Sequence, residues 1–138
     1  MSSGIEQLMA RTCNQTAVYW GNPVNDGYGK NIFDDPVEID CRWEEMLQVV
    51  IDDKGNEITS RAVVYLTQDV DYEGILYLGT LEDLYETVLE SSLGGLDDPM
   101  AIENIFIIKR FEKKPVLGST SVFLRKAYLT PSLSFGGF

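Results

Sequence analysis

The sequence predicts an all-β domain: a small antiparallel β-barrel of six or seven strands, with one or two short helices and extended loops and termini. Three observations lead there. Val37, Ile39, Cys41 and Trp43 alternate with Glu38, Asp40, Arg42 and Glu44, which puts one strand face on a core and the other in water. Such alternation belongs to antiparallel sheets, because buried parallel strands read as continuous apolar runs. β-branched and aromatic runs also recur at short spacing between clusters of Gly, Asn, Asp and Pro, as in small barrels and sandwiches. Finally, 138 residues with 44% hydrophobic content make one domain able to bury a core. The reading is a single domain over 1–138, with no internal repeat, an N-terminal arm or short helix at 1–14 and a C-terminal arm at 130–138.

Taken in order, Ile5, Leu8 and Met9 fall at i, i+3, i+4, so 4–12 forms a short helix or an arm. Nine residues are too few for a helix without something to dock on. Residues 16–20, TAVYW, form a strand by propensity. Residues 21–36 are dense in Gly, Asn, Asp and Pro and form a long loop. Residues 37–44 are the alternating strand described above, and 46–51 and 57–66 are two further strands.

Between those two strands, Asp52, Asp53, Asn56 and Glu57 crowd around Gly55. A calcium loop starting at Asp52 needs oxygen ligands at its third and fifth positions, Gly at the sixth and Glu at the twelfth. The third position is Lys54, Gly55 stands fourth and the twelfth is Val63, so the metal reading fails. A solvated carboxylate pair has nothing to drive its two pKa values apart, as acid–base chemistry requires. A hairpin turn with Gly supplying positive φ accounts for these residues.

Residues 75–78 form a short strand. Leu81, Leu84, Tyr85, Val88 and Leu89 then recur at helical spacing behind a Thr80 N-cap, with Gly94-Gly95 as the stop. This predicts a helix over 81–93, with a strand as the alternative because its neighbours are strands. Residues 102–111 and 122–129 are the last two strands. The tail, TPSLSFGGF, has neither period; it is disordered or packs on a neighbour.

Charge and composition exclude several functions. The formal net charge is −11, from 22 acidic and 11 basic residues, which argues against gripping nucleic acid through its phosphates. The chain has no histidine and only two cysteines, Cys13 and Cys41. That rules out a four-ligand Cys/His zinc site within one chain and any His-dependent triad. Cys41 reads as a small core residue. No apolar run approaches the ~20 residues that span a bilayer. The N-terminus lacks the basic and apolar regions of a signal peptide, so the expectation is a soluble cytosolic chain with no membrane association.

The search for catalytic chemistry finds no motif. Gly94-Gly95 and Gly136-Gly137 lack the following Lys-Ser/Thr of a phosphate loop, and GYGK at 27–30 lacks the Walker spacing. No Ser-x-x-Lys sequence offers a base for serine. Asp34-Asp35 and Asp97-Asp98 each precede Pro and read as turns. The expectation is no enzyme activity and no cofactor. Aromatics in flexible segments, namely Trp20, Tyr28, Phe33, Phe135 and Phe138, suggest contacts with other subunits; the alternative is that they pack back on their own barrel.

Certain residues also carry a resemblance. Tyr19-Trp20 lead into a loop with Asp26-Gly27-Tyr28-Gly29, then a Pro36-Val37 strand ending Arg42-Trp43-Glu44. After an Asp/Gly turn follow Ser60-Arg61-Ala62-Val63-Val64-Tyr65, then GILYLGTL and IFIIKRF…LRKAYL. In this order and spacing the chain resembles the head-closure proteins (head–tail connectors, or stoppers) of long-tailed bacteriophages over most of 16–129. The resemblance implies a β-barrel subunit of a ring, often of twelve copies, in the virion neck. That ring would lie between the portal and adaptor proteins and the tail-completion or tail-terminator protein, around a channel through which DNA passes without specific binding. It would close the channel after packaging and provide the platform for tail attachment. Assembly would take place in the host cytoplasm. Under this reading Asp52, Asp53 and Glu57 are candidates to face the channel, where fixed negative charge repels phosphate. The alternative, from another class, is a cytosolic β-barrel module that binds a small ligand or peptide in an apolar pocket. A core filled by Trp43, Val49, Ile51 and Val64 would argue against such a pocket.

Overall fold

Strands β1 (Gln15–Trp20), β4 (Val37–Ile51), β5 (Glu57–Leu66), β6 (Ile75–Leu78), β7 (Ile105–Pro115) and β8 (Phe123–Pro131) close into one antiparallel barrel in the order β1-β4-β5-β8-β7-β6. The structure is a computed structural model that describes residues 13–29, 31–90, 104–115 and 123–131. Two short strands, β2 (Val24–Asn25) and β3 (Asn31–Ile32), form a separate ladder, and one helix among the described residues, α1 (Leu81–Glu90), lies between β6 and β7. Closure pairs each barrel strand on both sides within the ring, while β4 beyond Cys41 and β5 before Ala62 run on as a two-stranded hairpin.

The predicted alternation sets the interior. Ile39, Cys41 and Trp43 point inward from β4 and meet Ala17 and Tyr19 of β1, Val64 and Leu66 of β5, Ile108 of β7 and Leu129 of β8. Trp43 and Phe106 stack edge to face at 5.2 Å and 73°. They come from β4 and β7, which are three strands apart in a six-strand ring, so this contact spans the lumen. The barrel is filled by its own side chains, as expected for so few strands. Val49 and Ile51 are not part of that filling, being 60% and 48% exposed.

Two predicted strands, 37–44 and 46–51, are one. β4 runs unbroken from Val37 to Ile51 with a register shift between Glu45 and Gln48. A bulge bends a strand without ending it, so the interruption in the sequence pattern is a bend. The loop over 21–36 contains the β2–β3 ladder, turned by Gly27 and Gly29 at φ 88° and 86°. Its Asn and Asp side chains bond locally, as expected of such residues. Gly27 N–H donates to Asn25 Oδ1 at 2.8 Å, and Tyr28 N–H to Asp26 Oδ1 at 2.7 Å.

Residues 81–90 are helical, not a strand. Thr80 Oγ1 accepts from Asp83 N–H and Asp83 Oδ2 accepts from Thr80 N–H, both at 3.1 Å. This is a reciprocal capping box with Asp in place of Glu. Glu38 of β4 accepts from Leu81 N–H at 2.8 Å, satisfying another free donor of the first turn and tying the helix to the barrel. α1 lies outside the barrel. Leu84, with Leu81 and Val88, covers Val18 and Trp20 of β1, Ile75 and Tyr77 of β6, and Ile105 of β7. These strands therefore bury both faces, one in the lumen and one under the helix. Residues 1–12 of the N-terminal helix or arm, residues 91–93 of the expected helix and the tail after Pro131 lie outside the described residues; of the arm's last two residues Cys13 is buried in the barrel, and Thr130 and Pro131, assigned above to the tail, belong to β8.

Candidate functional site

The distal half of β4 and the start of β5 depart from the buried-in, polar-out rule. Beyond the bulge, Met46 (44% exposed), Leu47 (71%), Val49 and Ile51 all show apolar surface. Both faces of a strand contribute to this surface, so neither is turned fully to the core. Among the described residues, β1 accompanies β4 only as far as Cys41. Gln15 Oε1 then accepts from Trp43 N–H at 2.8 Å, where the β1 ladder has ended. An open groove of about 450 Å³ lies beside the bulge, lined by Met46, Leu47, Phe106 and Pro131, with Glu45 and Arg61 supplying opposite charges. The signal for this surface was in the sequence: Met46-Leu47 and Val49-Val50-Ile51 lack the alternation of a half-buried strand. Arg61 carried no such signal.

The hairpin tip is tied back to the chain. Asp53 N–H donates to Lys109 O at 3.2 Å, and Arg110 Nη1 donates to Ile51 O at 2.9 Å. Lys109 is the residue skipped by the register shift in β7, which leaves its carbonyl available to the tip. Lys54 also sits 5.8 Å over the Tyr72 ring.

Asp52 is not on the solvated tip. It is only 7% exposed, and its Oδ1 accepts from Asn56 N–H at 2.8 Å and Lys54 N–H at 2.9 Å. The Asn56 bond above all, with the Lys54 bond and the nearby Lys109 charge, holds its carboxyl below the usual range. Its carboxylate shapes the turn. Asp53 and Glu57 are exposed, and Gly55 takes φ 88° as the turn requires.

The aromatic candidates separate. Trp20 is 1% exposed beneath α1, and Phe33 packs half-buried against the same outer cluster, so both pack back on their own barrel. Tyr28 stands 93% exposed at the tip of the β2–β3 loop. Phe135 and Phe138 lie outside the described residues.

Among the described residues, no three His, Cys, Asp or Glu side chains gather where they would hold a metal ion. Burial, with Cys13 and Asp40 nearby, pushes the Cys41 thiol up to about 12. Burial also raises Tyr19, whose hydroxyl donates to Asp71 Oδ2 at 3.0 Å and accepts from Asp71 N–H at 2.7 Å. This pair latches the β5–β6 connection to β1. No helix of the described residues is long and apolar enough to cross a membrane.

Fold and surface together define a closed, side-chain-filled six-stranded antiparallel barrel that bears an exposed apolar hairpin. Comparison with protein-family models and with curated proteins finds no match for this chain.

Proposed function

We propose that this chain is a structural subunit of the neck of a long-tailed bacteriophage. In this reading it forms a ring, of twelve copies by the resemblance, that closes the DNA channel after packaging and carries the tail. The observation that carries the reading is the exposed apolar surface of the β4–β5 hairpin, Met46, Leu47, Val49 and Ile51. Such a surface is costly in water and is covered when subunits or partners assemble. Tyr28 adds an aromatic contact point on a separate loop. The barrel lumen is occupied by its own residues, which favours a scaffold over a container. Asp53 and Glu57 are the exposed acids of the hairpin, and they are the two that would line a passage repelling DNA. Asp52 is withdrawn from that role by its turn.

Light scattering of the chain mixed with portal and adaptor proteins tests the proposal. Co-assembly into a ring-sized particle is expected, and Leu47→Asp should weaken it. Absence of any co-assembly would sink the reading. The acidic lining has its own test: a neck reconstruction with a lumen lined mainly by Lys and Arg would remove it.

The groove beside Met46 and Leu47 favours a second reading, a module that binds a peptide or small ligand. An apolar side chain would enter between Met46, Leu47 and Phe106, and Arg61 would meet a carboxylate. Saturable binding of a free ligand, lost in Arg61→Ala with the fold intact, would support this over the neck assembly.

A further inference from the structure

We propose that residues 132–138 of this chain, SLSFGGF, fold back into the groove beside the β4 bulge, with Leu133 and Phe135 seated between Met46, Leu47 and Phe106. This fold-back belongs to the free chain and requires neither ring assembly nor an outside ligand.

The groove is built around the point where that segment begins. β5 and β8 pair from Leu66 against Arg125 to Ala62 against Leu129. At the end of that ladder Ser60 Oγ reaches Leu129 O at 3.2 Å. Beyond Leu129, β8 continues on β7 alone, with Thr130 against Ile107 and Pro131 against Phe106. The β4–β5 hairpin is pinned on the other side of the gap. Its tip bonds the bulge of β7 through Asp53 N–H and Lys109 O, and Arg110 Nη1 holds Ile51 O. Fixed at root and tip, the hairpin cannot lie down on the end of β8, and a space of about 450 Å³ stays open. Pro131 forms part of its wall, and residue 132 follows directly from it.

Strand parity aims the segment correctly. Ala127 and Leu129 of β8 face the lumen, and side chains alternate along a strand. Pro131 falls on the same parity, and so do Leu133 and Phe135 when the strand direction is carried on. Taken alone the tail is too short to show a period. As a continuation of β8, it sets both apolar side chains toward the face that holds Phe106, itself packed on the lumen cluster. An extended chain puts Leu133 within ~7 Å and Phe135 within ~14 Å of Pro131, so the facing wall is in reach. The segment has no charged side chain, and its burial desolvates no ionic group. Met46 and Leu47, exposed apolar side chains, gain cover, and Arg61 at the margin offers the Phe135 ring a cationic neighbour.

Residues 1–12 approach from elsewhere. Gln15 pairs with Cys41 on the edge of β4 opposite β5, and Cys13 Sγ lies 3.6 Å from Tyr65 O, away from the groove wall. A docked tail keeps Met46 and Leu47 from water in the free chain and leaves Val49 and Ile51 as the exposed apolar surface. Any partner or ligand for the groove must displace it.

Nuclear magnetic resonance of the full chain, with carbon-13 in the methionine methyls, tests this. Met46→Leu assigns the Met46 signal among the four methionines. A cross-peak between the Phe135 ring and the Met46 methyl is expected, unchanged on dilution. Phe135→Ser should abolish it and shift the Met46 methyl, and Leu133→Ser should shift that methyl too. Ser134→Ala, on the other parity, should leave both in place. Circular dichroism confirms that each variant is folded, since the substituted residues lie beyond β8. A Met46 methyl indifferent to both Leu133→Ser and Phe135→Ser overturns the proposal. So does a cross-peak found only between labelled and unlabelled copies in a mixture, which makes a second copy the occupant. So does a Met46 methyl that responds to Leu8→Ser with Met9→Ser in place of the tail variants. Absence of portal co-assembly removes the neck reading alone; absence of the Phe135–Met46 contact with co-assembly intact removes the fold-back alone.

Discussion

Leu84→Ala tests whether α1 is docked on the barrel or merely adjacent to it. Leu84 is fully buried, and its contacts are Val18, Trp20, Ile75, Tyr77 and Ile105 on the outer barrel wall. Truncation removes three carbons, worth about 2 to 2.5 kcal/mol of transfer free energy at ~0.8 kcal/mol per methylene. A cavity cost adds to this to the extent that the site cannot collapse. The floor is a closed sheet with Trp20 and Ile75 locked in it, so it will not rise. The roof is a ten-residue helix that can settle by part of the gap. The expected loss is therefore about 3 kcal/mol, within the range known for buried Leu→Ala changes. That is a large share of the ~5–15 kcal/mol stability typical of such domains, and corresponds to a drop of roughly 10 °C in Tm. Urea denaturation followed by tryptophan emission and far-ultraviolet circular dichroism is the assay, in a Trp43→Phe background that leaves Trp20 as reporter. Trp20 emission should shift red as the helix loosens, and helical signal should fall with it, because ten residues do not hold a helix alone. Tyr85→Ala, on the exposed side, is the control and should stay within ~0.5 kcal/mol. Equal and small effects of the two substitutions, with Trp20 emission unchanged, would refute the docking and with it the two-faced burial of β1 and β6.

Ser60→Ala should cost about 1–2 kcal/mol by chemical denaturation, since its buried Oγ bonds Ala62 O at 2.9 Å and Leu129 O at 3.2 Å where the hairpin leaves the barrel. Stability should fall as pH drops below about 4. Asp52 is held low chiefly by Asn56 N–H, and Asp69 chiefly by Arg125 with Lys113. A carboxylate whose folded pKa is depressed contributes stability above its unfolded value and loses it as pH falls through the folded one; urea midpoints with an unchanged acid slope in Asp52→Asn/Asp69→Asn would contradict this. Cys13 and Cys41, both buried thiols outside any disulfide, should react with a thiol reagent at pH 8 only after unfolding, and fast labelling of the native chain would contradict the burial that raises Cys41. Gly55→Ala should cost about 1 kcal/mol, from the left-handed φ of 88° rather than from any clash, since nothing lies within 4 Å of the added carbon.

Much of the fold was legible because period carries it. Ile39, Cys41 and Trp43 alternate for one reason, the two-residue repeat of a strand with one wet face, and they occupy the lumen. The Asp52–Asn56 turn and the Thr80 cap were readable because their chemistry is local: Asx bonds, positive φ at Gly55 and a reciprocal cap span four or five residues. The helical spacing of Leu81, Leu84 and Val88 likewise announced a buried stripe, though Tyr85, read into that stripe, turns outward.

Other features depend on residues far apart in sequence, and tertiary structure alone decided them. The bulge that joins 37–44 to 46–51 follows from pairing with β5, and no local pattern distinguishes a bend from an end. Asp52 becomes buried because the hairpin tip reaches Lys109, more than fifty residues away. Trp20 sits under α1 because closure brings β6 beside β1, a neighbour its own segment does not specify. Sequence determined which residues form strands, turn and helix, since those choices rest on short-range sterics and periodicity. Only the closed barrel decided what each face meets, because side-chain environment is set by the strand order around the ring.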